Sequence, residues 1–166
     1  MTILQTCLEM ISQRGYILET TTVDVITAIK PLGEKICFFI KPVQKFNVLK
    51  LKEFIAIMSD LNVCHSVIIY KDKITSKTKK IIDDLTDITI EIFTDIELSY
   101  NITKSKYVPL HERLSKHEAK QFKDTYGIKL SVIRHTDSIA RFYGFLKGDV
   151  IQITQPNEIV VFSIVK

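Results

Sequence analysis

Five lysines crowd the ten residues 71–80 (KDKITSKTKK), on either side of a Thr75–Ser76 pair that can open a helix. Free N–H groups at a helix start, hydroxyls and ammonium groups together can hold phosphate oxygens without reading bases. A solvated face with a plain hydroxyl cap would account for Thr75 and Ser76, but it leaves five lysines without a reason. Lys71, Lys73, Thr75, Ser76 and Lys77 are therefore the candidate nucleic-acid contacts.

Other chemistry is harder to find. The four histidines, His65, His111, His117 and His135, are scattered, and Cys64–His65 is an adjacent pair rather than one with ligand spacing. Zinc needs about four convergent ligands, so no metal and no cofactor is expected. None of the five glycines falls in a phosphate-loop pattern. A metal-dependent nuclease would need an acid on one strand and an acid-x-Lys triplet on the next. The only such triplet is Glu118–Ala119–Lys120, in a stretch that reads as helix. Tyr107, Tyr126, Phe142 and Tyr143 sit at element ends and are expected to pack rather than stack on bases. No catalytic residue is assigned.

The most specified stretch is RHTDSIARFYGFLKGDVIQI, residues 134–153. Asp137 and Arg141 are spaced to meet across one helical turn, and Gly144 and Gly148 bracket a sharp reversal. So much shape without catalytic groups suits a surface that holds a partner. Arg134, Asp137, Arg141, Tyr143, Gly144, Lys147 and Gly148, with His111, are the candidate partner-binding residues.

These residues need elements to position them. Ile3, Leu4, Cys7, Leu8 and Ile11 have helical spacing that stops at Gly15. A helix is expected from Val23 to Ile29. Lys35–Lys41 reads as a buried strand ended by Pro42, and Asn47 as the cap of a helix bearing Val48, Leu51, Phe54, Ile55 and Met58. HSVIIY (65–70) is a second buried strand, a capped helix follows through Leu85, and 88–93 is a third strand. Strand–helix–strand–helix–strand predicts an α/β domain with a mixed or largely parallel sheet.

The remainder differs in texture. Residues 101–109 read as extended up to Pro109, and Ser115 with Glu118 forms a capping box for a helix ending at Gly127. A helical turn over 137–143 then leads through Gly144 and Gly148 into a hairpin of 150–154 and 159–165. The expected boundaries are 1–97 for the α/β domain and 98–166 for a small α+β domain.

Charge divides along the same line. Residues 1–97 carry 12 Lys/Arg against 13 Asp/Glu, net −1, and residues 98–166 carry 11 against 6, net +5. Apolar residues make up 46% of the chain, but no run approaches the roughly 20 residues of a membrane span. Three cysteines without regular spacing read as buried thiols in a reducing compartment.

Three stretches resemble one family, the fifth subunit shared by eukaryotic nuclear RNA polymerases, whose C-terminal half matches a small component of the archaeal polymerase. They are NITKSKYVPLHERLSKHEAKQF (101–122), TDSIARFYGFLKGDVIQI (136–153) and, more loosely, ITSKTKKI (74–81) followed by IEIFTDIEL (90–98). The resemblance implies an N-terminal jaw domain with a nuclease-like layout and no active site, beside downstream duplex DNA. It also implies a C-terminal assembly domain docked on the largest polymerase subunit, among the other subunits. The chain would then be non-catalytic, in a nucleus, or in a virion or host cell if viral. A stand-alone nucleic-acid-binding module and a nuclease-like enzyme remain the alternatives. Ser131 and Ser138 stand where the family usually has proline, and both the hairpin QPNEIVVF and the jaw are short. An Ile- and Lys-rich compact version suggests a reduced eukaryotic genome or a large DNA virus.

Overall fold

In the computed structural model, which describes residues 2–126 and 130–166, the chain divides into two compact units, Met1–Tyr100 and Asn101–Lys166. The first holds a five-stranded sheet in the order β1-β2-β3-β4-β5. Helix α1 (Ile3–Gln13) begins at Thr2, whose Oγ1 accepts the Gln5 N–H at 3.3 Å. It ends where Gly15 takes φ +76°, a conformation that costs a glycine nothing.

Strands β1 (Ile17–Thr21) and β2 (Val25–Ile29) follow as an antiparallel pair. The expected helix over Val23–Ile29 is thus corrected to a strand. Val25, Ile26, Thr27 and Ile29 are β-branched and stiff at χ1. β2 is also hydrogen-bonded on both sides, to β1 and to β3, so pairing fixes the backbone.

β3 (Lys35–Phe46) runs through Pro42 rather than stopping there. Beyond Phe39 its register with β2 ends, so the proline's missing N–H costs no bond on that side. Asn47 caps α2 (Val48–Asp60), its Oδ1 accepting the Lys50 N–H at 3.0 Å. β4 (His65–Ile74), α3 (Ser76–Asp84) and β5 (Thr89–Thr94) complete two parallel crossovers.

Alternation along β3 sorts its side chains to two faces. Cys37 and Phe39 join Leu51, Met58, Val63, Ile68 and Ile90 beneath α2. Leu51 and Met58 are each 1% exposed, burial that stabilises the fold by roughly 1.5–3 kcal/mol apiece. Phe38 and Val67 face the other way, the side on which α1 packs against β3.

The second unit is a four-stranded sheet in the order β6-β8-β9-β7. A 3₁₀ turn at Ile102–Lys104 replaces the expected extended run, because Asn101 Oδ1 accepts both the Thr103 N–H and its hydroxyl. Strand β6 (Leu110–Arg113) begins only after Pro109. Ser115 and Glu118 form the capping box of α4 (Lys116–Tyr126), at 2.8 and 3.2 Å. The expected stop at Gly127 lies outside the described residues. β7 (Ser131–Ile133), α5 (Ser138–Tyr143) and the hairpin β8 (Val150–Thr154) with β9 (Val160–Val165) complete the unit. Ala140, Phe145, Ile151 and Val165 form its core. Ser131 uses the hydroxyl a proline would lack, donating to the Phe162 carbonyl at 3.0 Å and pairing with Ser163 at 2.6 Å.

Candidate nucleic-acid and partner-binding surfaces

Lys71 and Lys73 lie among the last residues of β4, which runs on past the expected end at Tyr70. Thr75 is the cap of α3, its Oγ1 accepting the Thr78 N–H at 3.2 Å and lying 2.7 Å from the buried Thr78 hydroxyl. Ser76 and Lys77 open the helix and are exposed, as are Lys79 and Lys80. The five candidate contacts are therefore brought together at the junction of β4 and α3.

Strand β3 adds residues that spacing along the chain did not single out. Its last residues pair with the end of β4, with Lys45 opposite Lys73 and Phe46 opposite Ile74. The Thr75 N–H then donates to the Phe46 carbonyl at 3.1 Å, so β3 ends against the α3 cap. Exposed Lys45 thereby joins the lysines of 71–80. Apolar Val43 and Phe46 beyond Pro42 were the available signal, masked by treating the proline as a stop.

In the second unit Asp137 caps α5, its Oδ1 accepting the Ile139 N–H at 2.8 Å. Its carbonyl accepts the Arg141 N–H at 2.9 Å, so the two residues meet through the backbone. Gly144 ends α5 at φ +66°, and Gly148 sits at φ +93°. Just past Gly148, Asp149 Oδ2 accepts the Leu146 N–H at 2.8 Å and faces Arg113 at 3.4 Å, closing the turn.

Tyr143 stacks on Phe145 with ring centroids 5.1 Å apart and on His111 at 6.4 Å. Burial pushes the Tyr143 hydroxyl up from its ordinary range, against the lowering effect of its bond to Thr103. His111 is only 7% exposed, and its Nδ1 lies 2.8 Å from the Pro109 carbonyl. It is held inside the unit, beside Tyr143 and the turn at Pro109. Arg134 and Lys147 are exposed.

One polar constellation had no sequence signal. Arg14 donates from both terminal nitrogens to Glu91, at 2.7 and 2.8 Å, and His65 Nε2 sits 2.6 Å from the same carboxylate. Burial alone would raise Glu91, but the Arg14 charge and the bonds from His65 and Arg14 hold it down at about 2. Nearby in the same unit, Tyr16 donates to Glu34 at 2.7 Å, and Lys30 bonds the same carboxylate at 2.9 Å. The acid on β5 is thus paired with an arginine. Among the described residues no group of three His, Cys, Asp or Glu side chains could hold a metal ion. No described helix is long and apolar enough to cross a membrane.

Burial pushes the Cys7 and Cys37 thiols up to about 12. Cys64 is exposed, which corrects the expectation of three buried thiols.

Fold and surfaces together describe a mixed α/β protein of two sheets whose specified features are a basic strand–helix junction and a glycine-hinged turn. The family model for RNA polymerase Rpb5, C-terminal domain, matches residues 100–165. A "Putative DNA-directed RNA polymerase subunit" of Invertebrate iridescent virus 6 is 36% identical, over 77% of this chain and 75% of its own length. A subunit of DNA-directed RNA polymerases I, II and III of Dictyostelium discoideum is 29% identical, over 93% of this chain and 88% of its own. An Arabidopsis thaliana DNA-directed RNA polymerase subunit 5-like protein is 32% identical, over 73% and 60%. The chain belongs to the Rpb5 family of RNA polymerase subunits.

Proposed function

We propose that this chain is a non-catalytic subunit of a DNA-directed RNA polymerase, docked on the largest subunit through 98–166 and touching downstream duplex DNA through 1–97. The observation that carries the reading is the family match over residues 100–165, which spans every αL glycine and cap of the α5–β8 turn. In this reading Arg134, Asp137, Arg141, Tyr143, Gly144, Lys147 and Gly148 present the docking surface, with His111 supporting it.

Lys71, Lys73, Thr75, Ser76 and Lys77 would meet backbone phosphates as the duplex enters. Such contacts add affinity without base preference and weaken with salt. The exposure of these lysines and of Ser76 supports that role. The first unit would act as a jaw with a nuclease-like layout, in which Arg14 occupies the β5 carboxylate. The protein would work in the nucleus, or in the infected cell if its genome is viral.

Tagged chain recovered from its own source tests the assignment. Large polymerase subunits are expected at stoichiometric yield, and purified chain with Mg²⁺ or Mn²⁺ is expected to leave duplex DNA uncut. Recovery without any polymerase subunit would refute the docking role, and a metal-dependent cleavage product would move the chain to the enzymes.

A further inference from the structure

We infer that Lys45 contacts phosphate together with Lys73, so that the nucleic-acid surface is built from two strands as well as a helix start. The inference rests on the duplex-contact reading above and extends it to a strand far upstream in sequence.

Three observations converge on it. Lys45 and Lys73 are direct partners across a parallel pair, so their side chains leave the same face of the sheet. Like charges directly opposite one another are unfavourable. Among the described residues neither has an ion-pair partner, nor do Lys41, Lys71, Lys77, Lys79 and Lys80. Residues 43–46 and 70–80 together carry six lysines against Asp72 alone, a net +5 rather than the +4 of 71–80.

Geometry leaves the pair open to a ligand. β2 pairs with β3 only as far as Phe39, and β5 with β4 only as far as Tyr70. The segment carrying Lys45 and Lys73 is therefore a two-stranded ribbon beyond the sheet proper. Phe46, on its reverse face, is 0% exposed, which turns Lys45 and Lys73 outward. The unliganded chain gains nothing from this juxtaposition, whereas a phosphate between the two ammonium groups converts repulsion into attraction. An anion with charge repeated along a rod also serves the lysines that continue into α3; a lone carboxylate would serve only one pair.

The test is fluorescence anisotropy of a labelled duplex of about 20 base pairs, titrated with full-length chain from about 25 to 200 mM KCl. Lys45→Gln and Lys73→Gln are each expected to weaken binding severalfold at low salt and to reduce the salt slope by about one. The double variant should lose about two, and Lys120→Gln on α4 should change neither. Thermal midpoints of the Lys45 and Lys73 variants should stay level or rise, because a repulsion is removed. Wild-type affinity in Lys45→Gln, or a lowered midpoint, would overturn the inference. So would polyglutamate of matched length competing as well as unlabelled DNA, which would assign the ribbon to an acidic protein. Absence of any duplex binding by the wild type at the lowest salt would overturn it too. Polymerase recovery with tagged chain reads the docking assignment separately, so the two can fail independently.

Discussion

Arg14 and Glu91, 77 residues apart, form a bidentate pair that ties the end of α1 to the middle of β5. The arginine side chain is 3% exposed and the glutamate 21%. Two parallel N–H···O bonds fix the angle at which the helix meets the sheet, as a lysine could not. His65 on β4 closes the third side.

Removing one partner strands a largely buried charge. Arg14→Ala or Glu91→Gln should cost roughly 2–4 kcal/mol, at or just below the usual range for a broken buried pair because Glu91 keeps some solvent. Urea unfolding of the full chain measures it. The double change Arg14→Met with Glu91→Leu should recover most of the loss; if it is as unstable as the singles, the pair is not the unit that matters.

Acid should weaken the same joint. Glu91 titrates lower in the folded chain, at about 2, than its ordinary value of 4.5. Its contribution is therefore fully present above about pH 4.5 and is lost as pH falls towards 2. Wild type and Glu91→Gln should differ most near neutrality and converge in that window. Parallel stability curves down to pH 2 would contradict the assignment.

Thiol chemistry should separate the cysteines. Cys64, exposed before β4, should react with a disulfide reagent in the native protein, while Cys7 and Cys37 wait for unfolding. Counting released chromophore before and after denaturant decides it. More than one thiol reacting natively would place the burial of α1 or β3 in doubt.

Ser66 is fully buried on the α2 face of β4, and its Oγ finds no hydrogen-bond partner. A stranded hydroxyl costs about 1–3 kcal/mol. Ser66→Ala should therefore be neutral or raise the thermal midpoint. A clear loss of stability would mean that the hydroxyl is satisfied in solution.

Gly144 ends α5 with φ +66°, where a β-branched side chain is strained. Gly144→Val should destabilise the second unit by about 1–2 kcal/mol, and Gly144→Asn by less. Circular dichroism melts rank the variants, and equal stability of all three would show that the turn relaxes freely.

Much of the architecture was local and hence legible. Asn47, Thr75 and the Ser115–Glu118 box each cap the helix their side chains can reach, since a cap needs only the next three residues. Gly144 and Gly148 turn where only glycine turns cheaply. Strand 65–70 could be read because its apolar run is buried on both faces, and 88–93 because Ile88, Ile90 and Ile92 recur at the strand period.

What needed the assembled chain was everything settled by a distant neighbour. Val25–Ile29 became a strand because β1 and β3 flank it, and β3 crossed Pro42 because no strand required that N–H. Register alone set Lys45 beside Lys73, and only the packing of α1 on the sheet brought Arg14 to Glu91. Caps and turns are written within a few residues, whereas partners across a sheet are chosen by the sum of all its pairings. Spacing along the chain carries no record of that choice.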